Sequence, residues 1–372
     1  MYQPKQESKH SILHNYRSAF TACTYKTARN LEYSMKQRLQ NLADASAVEE
    51  LNDVYGSGEL IENFENEVAE LLGKESAVFM PSGTMAQPIA LRIWADRAKT
   101  NYIALPPSSH LNLHEHNSYQ VLYGLKGINI GEDHLLPTLD DLKGAACDPL
   151  AAILLELPMR EIGGQLPSWS ELVEQSAWAK QNNIKLHMDG ARLWQCPPAY
   201  NKSLAQICSV FDSVYVSFYK DLGGIAGAIL VGDKDFISSA KVWKKRCGGN
   251  LHALYPYLLA AREGLKTNLP DMPKRRNNAL WFAQKLNTYP LFQTWPLVPQ
   301  TNMFRLRINA DPDTFLSKAT QWMTDNKVAL ITAPYKIGED YCLSEITIGN
   351  AVEQKTQQQW EALLASFVDA VS

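Results

Sequence analysis

The sequence predicts an α/β protein with a large, mostly parallel sheet and a smaller α+β domain. Three observations predict it. From residue 51 onward, short apolar runs alternate with helical patterns, as in a sheet covered by helices on both faces. Beyond about residue 265 the rhythm changes to alternating strands and amphipathic helices. And a chain of 372 residues is long for a single core. The expected division is an N-terminal arm and helix (1–50), a large domain (51–264) and a small C-terminal domain (265–372).

Each element has its own justification. Residues 1–50 are polar, with Arg17, Lys26, Arg29 and Lys36 scattered through them. One helical stripe, Leu31, Met35, Leu39 and Leu42, suits packing on a neighbour or a second domain rather than forming a core. A helix is expected over 62–72, where Phe64, Val68, Leu71 and Leu72 share a face and Gly73 supplies the stop. A strand over 76–80 runs into the turn Pro81-Ser82-Gly83-Thr84 and then a helical pattern over 85–94. Further strands are expected at 102–105, 151–157, 184–188, 213–218 and 226–231, with helices at 169–181 and 234–245. Leu269-Pro-Asp-Met-Pro273 marks a break. Strands at 302–308, 328–332 and 344–348 and helices at 312–325 and 353–371 complete the C-terminal domain.

Composition narrows the function. A net charge of −3 provides no basic field for nucleic acid. The cationic stretches 241–246 and 274–276 lie inside helical patterns and read as solvated faces. Six cysteines (Cys23, Cys147, Cys196, Cys208, Cys247 and Cys342) lie far apart, which fits neither a zinc ribbon nor a disulfide framework and suits a reducing compartment. The first ten residues have no apolar core of a signal peptide, and no 18 apolar residues run together. The expectation is a soluble, cytoplasmic protein.

The chemistry gathers at strand ends. An apolar strand runs through Ser217 into Lys220, and a glycine pair and a second apolar strand follow. Upstream, the run Ile184-Lys-Leu-His-Met ends on Asp189-Gly190-Ala191-Arg192. An amine beyond one strand and an acid at the end of another are what pyridoxal 5′-phosphate (PLP) needs. The amine holds the aldehyde as an imine, and the carboxylate keeps the ring nitrogen protonated. Ser82-Gly83-Thr84, between a strand and a helix, is a candidate phosphate cup; alone it is an ordinary capping turn. Asp189 alone would equally suit a helix N-cap, and Arg192 would either neutralise it or reach the cofactor or a substrate carboxylate. His110, His114 and His116 do not form a His-Glu-x-x-His motif, so no metal site is expected.

At these residues the chain resembles the threonine aldolase and β-eliminating lyase family of fold-type-I PLP enzymes. Four segments carry the likeness: Asp53-Val-Tyr-Gly56, Phe79-Met-Pro-Ser-Gly-Thr-Met85, His187-Met-Asp-Gly-Ala-Arg192 and the lysine strand 212–232. The resemblance implies a seven-stranded, mostly parallel sheet, with Lys220 as the Schiff-base lysine and Asp189 as the ring-nitrogen partner. It implies Ser82, Gly83, Thr84 and Ser217 as cofactor ligands and His110 as the ring-stacking histidine. It places Arg192 near the ring and the substrate carboxylate, and Tyr55 near the mouth of the site. An amino-acid substrate and a homodimer or homotetramer with sites at subunit interfaces are implied as well.

The departures concern the substrate. Tyr219 stands where the family has Ser, Asp221 where it has Gly, and His252 where it has an interface arginine. The family's carboxylate-binding arginine matches Ser344, and its N-terminal Arg-Ser-Asp-Thr segment has only Arg17-Ser18 as counterpart. Arg160 is a candidate replacement clamp, with an ion pair to Glu156 or Glu161 as the other reading. The favoured activity is cleavage of a threonine-like β-hydroxy amino acid to glycine and an aldehyde. β-Elimination or transamination on the same scaffold and PLP binding without turnover are the alternatives.

Overall fold

The computed structural model describes residues 4–145 and 149–372, with side chains from residue 11 onward; Cys147 lies outside the described residues. The chain divides into two compact units. One comprises residues 33–161 and 165–272, the other residues 1–32, 162–164 and 273–372. The segment 1–50, set apart in the sequence reading, is thus shared between them at residue 32.

The larger unit is built on a seven-stranded sheet. Its strands are β1 (Ser76–Met80), β2 (Tyr102–Leu105), β3 (Lys126–Asn129), β4 (Ala152–Glu156), β5 (Lys185–Gly190), β6 (Ser213–Ser217) and β7 (Ala228–Gly232). Their order is β1-β7-β6-β5-β4-β2-β3. The pairings from β6 through to β3 are parallel, while β7 runs antiparallel to both its neighbours. Every residue of β4, β6 and β7 is buried, which is why these strands read as unbroken apolar runs. Two apolar clusters, one on each face, hold the sheet.

Helix Gly83–Ala98 covers one of those faces. Its start is fixed by Ser82, whose Oγ accepts from the Met85 amide at 3.3 Å. Helix Glu59–Leu71 packs Ile61, Phe64 and Val68 into the other cluster and ends where Gly73 takes φ +63°; a Cβ there would lie 2.8 Å from Ala205 Cβ. The expected helix with Leu31, Met35, Leu39 and Leu42 starts only at Met35, so Leu31 is outside it. None of its residues is fully buried.

The smaller unit carries a four-stranded antiparallel sheet ordered Lys336–Ile337, Cys342–Thr347, Met303–Ile308 and Phe292–Trp295. Helix Pro4–Ala22, absent from the sequence expectation, supplies Tyr16 and Phe20 to its core alongside Phe315, Trp322 and Phe367. Tyr16 Oη donates to Ile331 O at 2.8 Å. Arg17 and Ser18 are exposed on this helix. Two cations read as solvated are not: Lys244 in the larger unit is 2% exposed and Arg275 in the smaller is fully buried. Each occupies a core-facing position of its helix.

Candidate active site

Parallel strands β2, β4, β5 and β6 point their carboxyl ends to one edge, the edge where α/β sheets bind ligands. Asp189 on β5 is in register with Glu156 on β4 on one side and Tyr215 on β6 on the other. Residues in register on parallel strands share a face, so the three form one buried row. Asp189 Oδ1 accepts from the Ala191 amide at 3.0 Å. Burial, and then the charge of Asp189, push the Glu156 carboxyl up to about 7.

Lys220 lies three residues beyond the end of β6. The loop that carries it is tied to the segment after Asp189: Trp194 Nε1 donates to Ser217 O at 2.8 Å, and Gln195 Nε2 to Asp221 Oδ1 at 2.7 Å. Amides of Gly223 and Gly224 close the turn on the carbonyls of Lys220 (3.3 Å) and Phe218 (2.9 Å). Burial, reinforced by the Arg192 guanidinium, lowers the Lys220 amine to about 8 against the opposing pull of Asp189, Glu156 and Asp221. An amine lowered in this way is neutral in a larger fraction near pH 7 than a solvated lysine. Its Nζ stands 5.8 Å from the centre of the Tyr219 ring.

Gly83 and Thr84 open helix Gly83–Ala98, so their amides belong to the turn that has no intrahelical acceptors. A Cβ on Gly83 would stand 2.0 Å from the Tyr215 hydroxyl; the turn therefore seats directly on the Asp189 row, and only glycine fits. A buried hydrogen-bonded series ties the same helix to β5 and β6. Trp94 Nε1 donates to Ser213 Oγ at 2.8 Å, Ser213 Oγ lies 2.8 Å from His187 Nδ1, and His187 Nε2 lies 3.0 Å from Gln87 Oε1. Gln87 Oε1 can only accept, so the neutral imidazole donates from Nε2 and its Nδ1 accepts from the Ser213 hydroxyl. Burial holds this histidine neutral, with its pKa down at about 3.

His110 follows β2 through Pro106-Pro107-Ser108-Ser109 and opens the short helix His110–His114. Its Nδ1 is 3.4 Å from Glu115 Oε1, and its ring centre is 5.1 Å from that of His114. His114 Nε2 is 3.0 Å from Glu161 Oε1, the same oxygen that Arg160 Nη1 reaches at 3.1 Å. The Arg160 amide in turn donates to Glu156 Oε1 at 3.0 Å. A continuous polar chain thus runs from the Asp189 row to the histidine pair. Arg160 pairs with Glu161, one of the two partners weighed from sequence. Among the described residues, no cluster of three or more His, Cys, Asp or Glu is arranged to hold a metal ion.

Tyr55 and Ser344 each have surroundings of their own. Tyr55 is 58% exposed, in a left-handed backbone conformation (φ +49°), with its ring edge-on to His252 at 5.2 Å and its amide bound to His252 O at 2.9 Å. Ser344 in the smaller unit is fully buried and donates to Thr332 O at 3.0 Å, so its hydroxyl is committed to the strand framework.

The row and its surroundings fit PLP on the residues' own chemistry. The buried oxygens Ser108 Oγ, Ser109 Oγ and Glu156 Oε2 all belong to strand ends or the loop just beyond, and none has a hydrogen-bond partner within the protein. Orphaned polar atoms in that number mark a polar ligand site. Glu156, Tyr215 and Glu115 were not singled out from the sequence as site residues. Glu156 carried the same signal as Asp189, an acid closing an apolar strand.

Comparisons with known proteins bear on the family. A family model described as beta-eliminating lyase matches residues 40–309. The chain is 28% identical over 290 residues to low-specificity L-threonine aldolase 1 of Arabidopsis thaliana, covering 75% of this chain and 80% of the relative. It is 31% identical over 245 residues to low specificity L-threonine aldolase of Escherichia coli K12, covering 63% and 71%. Among solved structures, a Listeria monocytogenes protein described as a candidate L-allo-threonine aldolase superposes with a TM-score of 0.92 at 38% identity, covering 96% of this chain and 99% of that one. No described helix is long and apolar enough to cross a membrane. The chain belongs to the beta-eliminating lyase family.

Proposed function

We propose that the protein is a PLP-dependent aldolase that cleaves a threonine-like β-hydroxy amino acid to glycine and an aldehyde. The observation that carries this reading is the buried row of Glu156, Asp189 and Tyr215 at the carboxyl ends of the parallel strands, with Lys220 on the loop just beyond β6. When bound, PLP supplies an aldehyde that condenses with amines and a ring that accepts the electrons of the bond being broken.

The protein's share is positioning and proton handling. Lys220 would hold the cofactor through its aldehyde carbon. Asp189, held by the Ala191 amide, would face the ring nitrogen. The amides of Gly83 and Thr84, with the Ser82 and Ser217 hydroxyls, receive the phosphate. His110 would lie against the cofactor ring; Glu115 holds one of its nitrogens, and the other would be available to accept the substrate's hydroxyl proton. Arg192, whose field already acts on Lys220, is the carboxylate partner favoured here. Arg160, engaged with Glu161 and His114, supports it from the rim. Tyr55 and His252 form a joint patch suited to a second copy of the chain in a homodimer or homotetramer.

A panel of β-hydroxy amino acids tests the reaction. Release of glycine and an aldehyde in equal amounts is the expected result. Release of a keto acid and ammonia instead would replace aldol cleavage with β-elimination on the same residues.

A further inference from the structure

Glu156 ends β4 in register with Asp189, so two carboxyl side chains stand next to each other in one buried row. Its two oxygens are not equivalent. Oε1 accepts the Arg160 amide at 3.0 Å, whereas Oε2 is buried with no partner in the protein. The charged groups acting on it are Asp189 on the neighbouring strand, Arg192 beyond that strand's end and Lys220 on the loop after β6. Arg160 meets it through the backbone amide, while its guanidinium goes to Glu161. Adjacent buried carboxyls do not both ionise at small cost; they titrate as a pair.

We propose that Glu156 is a positioning residue for Asp189: near neutrality Glu156 keeps a proton on Oε2 while Asp189 keeps the charge. The pair then offers one negative charge, rather than two or none, to a cationic ring nitrogen. This rests on the cofactor reading above and deepens it. Its direction accords with the upward push on Glu156, of which burial is the largest cause and Asp189 the second.

The test begins with the protein free of cofactor, where infrared difference spectra follow protonated carboxyl groups directly. A carboxylic-acid carbonyl band should disappear as the pH rises through about 7. Glu156→Gln should remove that band while keeping the acceptor for the Arg160 amide. Asp189→Asn should keep the band and move its midpoint down by about one pH unit or more, because the repelling charge is gone. With cofactor bound, Glu156→Gln should flatten the pH dependence of visible absorbance and of kcat/KM between about pH 6 and 8. No titrating band in the wild type, or a midpoint indifferent to Asp189→Asn, would overturn the pairing. So would a Glu156→Gln pH profile identical to that of the wild type. Failure of the wild type to bind PLP would count against the cofactor reading alone, since the cofactor-free titration decides the proton pair separately.

Discussion

His187 and Asp189 lie two residues apart on one strand, on the same face, about 7 Å from one another along the chain. Their surroundings differ sharply. Around His187 every polar atom is accounted for: Trp94, Ser213, the imidazole and Gln87 form a closed neutral series, and burial simply removes the histidine's charge. Around Asp189 the balance is left open. A second carboxyl is pushed up to about 7, a lysine is brought down to about 8, and Oε2 of Glu156 has no partner in the protein. One step along the strand separates a scaffold from a site. Burial alone does not mark function; what sets the Asp189 row apart is an unpartnered carboxyl oxygen beside a second carboxyl and a lysine.

Four substitutions break or sharpen that contrast. Lys220→Ala should have the largest effect, a loss of about 10³-fold or more in kcat/KM together with the visible absorbance of bound PLP, with folding intact by circular dichroism. Asp189→Ala should follow at about 10²-fold or more in kcat, with PLP still taken up but its ring nitrogen left without an anion. His187→Leu should do the reverse: about 1–3 kcal/mol lost in urea denaturation, because Ser213 and Gln87 lose their buried partner, with kcat per folded molecule nearly unchanged. A catalytic collapse in His187→Leu without loss of stability would erase the distinction. Arg160→Ala should be smallest, a few-fold in KM, since its guanidinium is part-exposed and shared with Glu161 and His114. A larger loss there than in Arg192→Ala would make Arg160 the carboxylate partner.

The same contrast predicts a pH effect on stability without cofactor. Glu156 is raised in the folded protein, so the stability it contributes is full below its unfolded pKa of about 4.5 and is lost as the pH rises through about 7. The loss amounts to about 3 kcal/mol by linkage. Denaturation of wild type and Glu156→Gln at successive pH values should therefore show the wild type losing stability relative to the variant between about pH 5 and 8. Parallel curves would mean that Glu156 ionises in the fold as freely as outside it.

Much of this was legible in the sequence, and the reasons are specific. Lys220, Asp189 and Gly83 follow apolar strands, so their places along the chain fix their places on the sheet edge. The strands themselves were recognisable because burial on both faces leaves no polar alternation to confuse them. Strand Lys126–Asn129 was not recognised; as an edge strand it carries Lys, Gly and Asn in four residues and has no apolar run. Helix Pro4–Ala22 was read as an arm because its few apolar residues find partners about 300 positions away, as Tyr16 does at Ile331. Lys244 and Arg275 were taken as solvated from their charge, although their positions on the helix face decided otherwise. The substrate side stays the least legible part. Ser344 spends its hydroxyl on Thr332, and which guanidinium takes over depends on neighbours that spacing does not reveal.

Borohydride reduction of the PLP-loaded protein, followed by peptide mass mapping, tests the central claim most directly. The expected result is a single pyridoxyl adduct on the peptide carrying Lys220, absent in Lys220→Ala. An adduct on another buried amine such as Lys244, or aldehyde release that survives in Lys220→Ala, would contradict it.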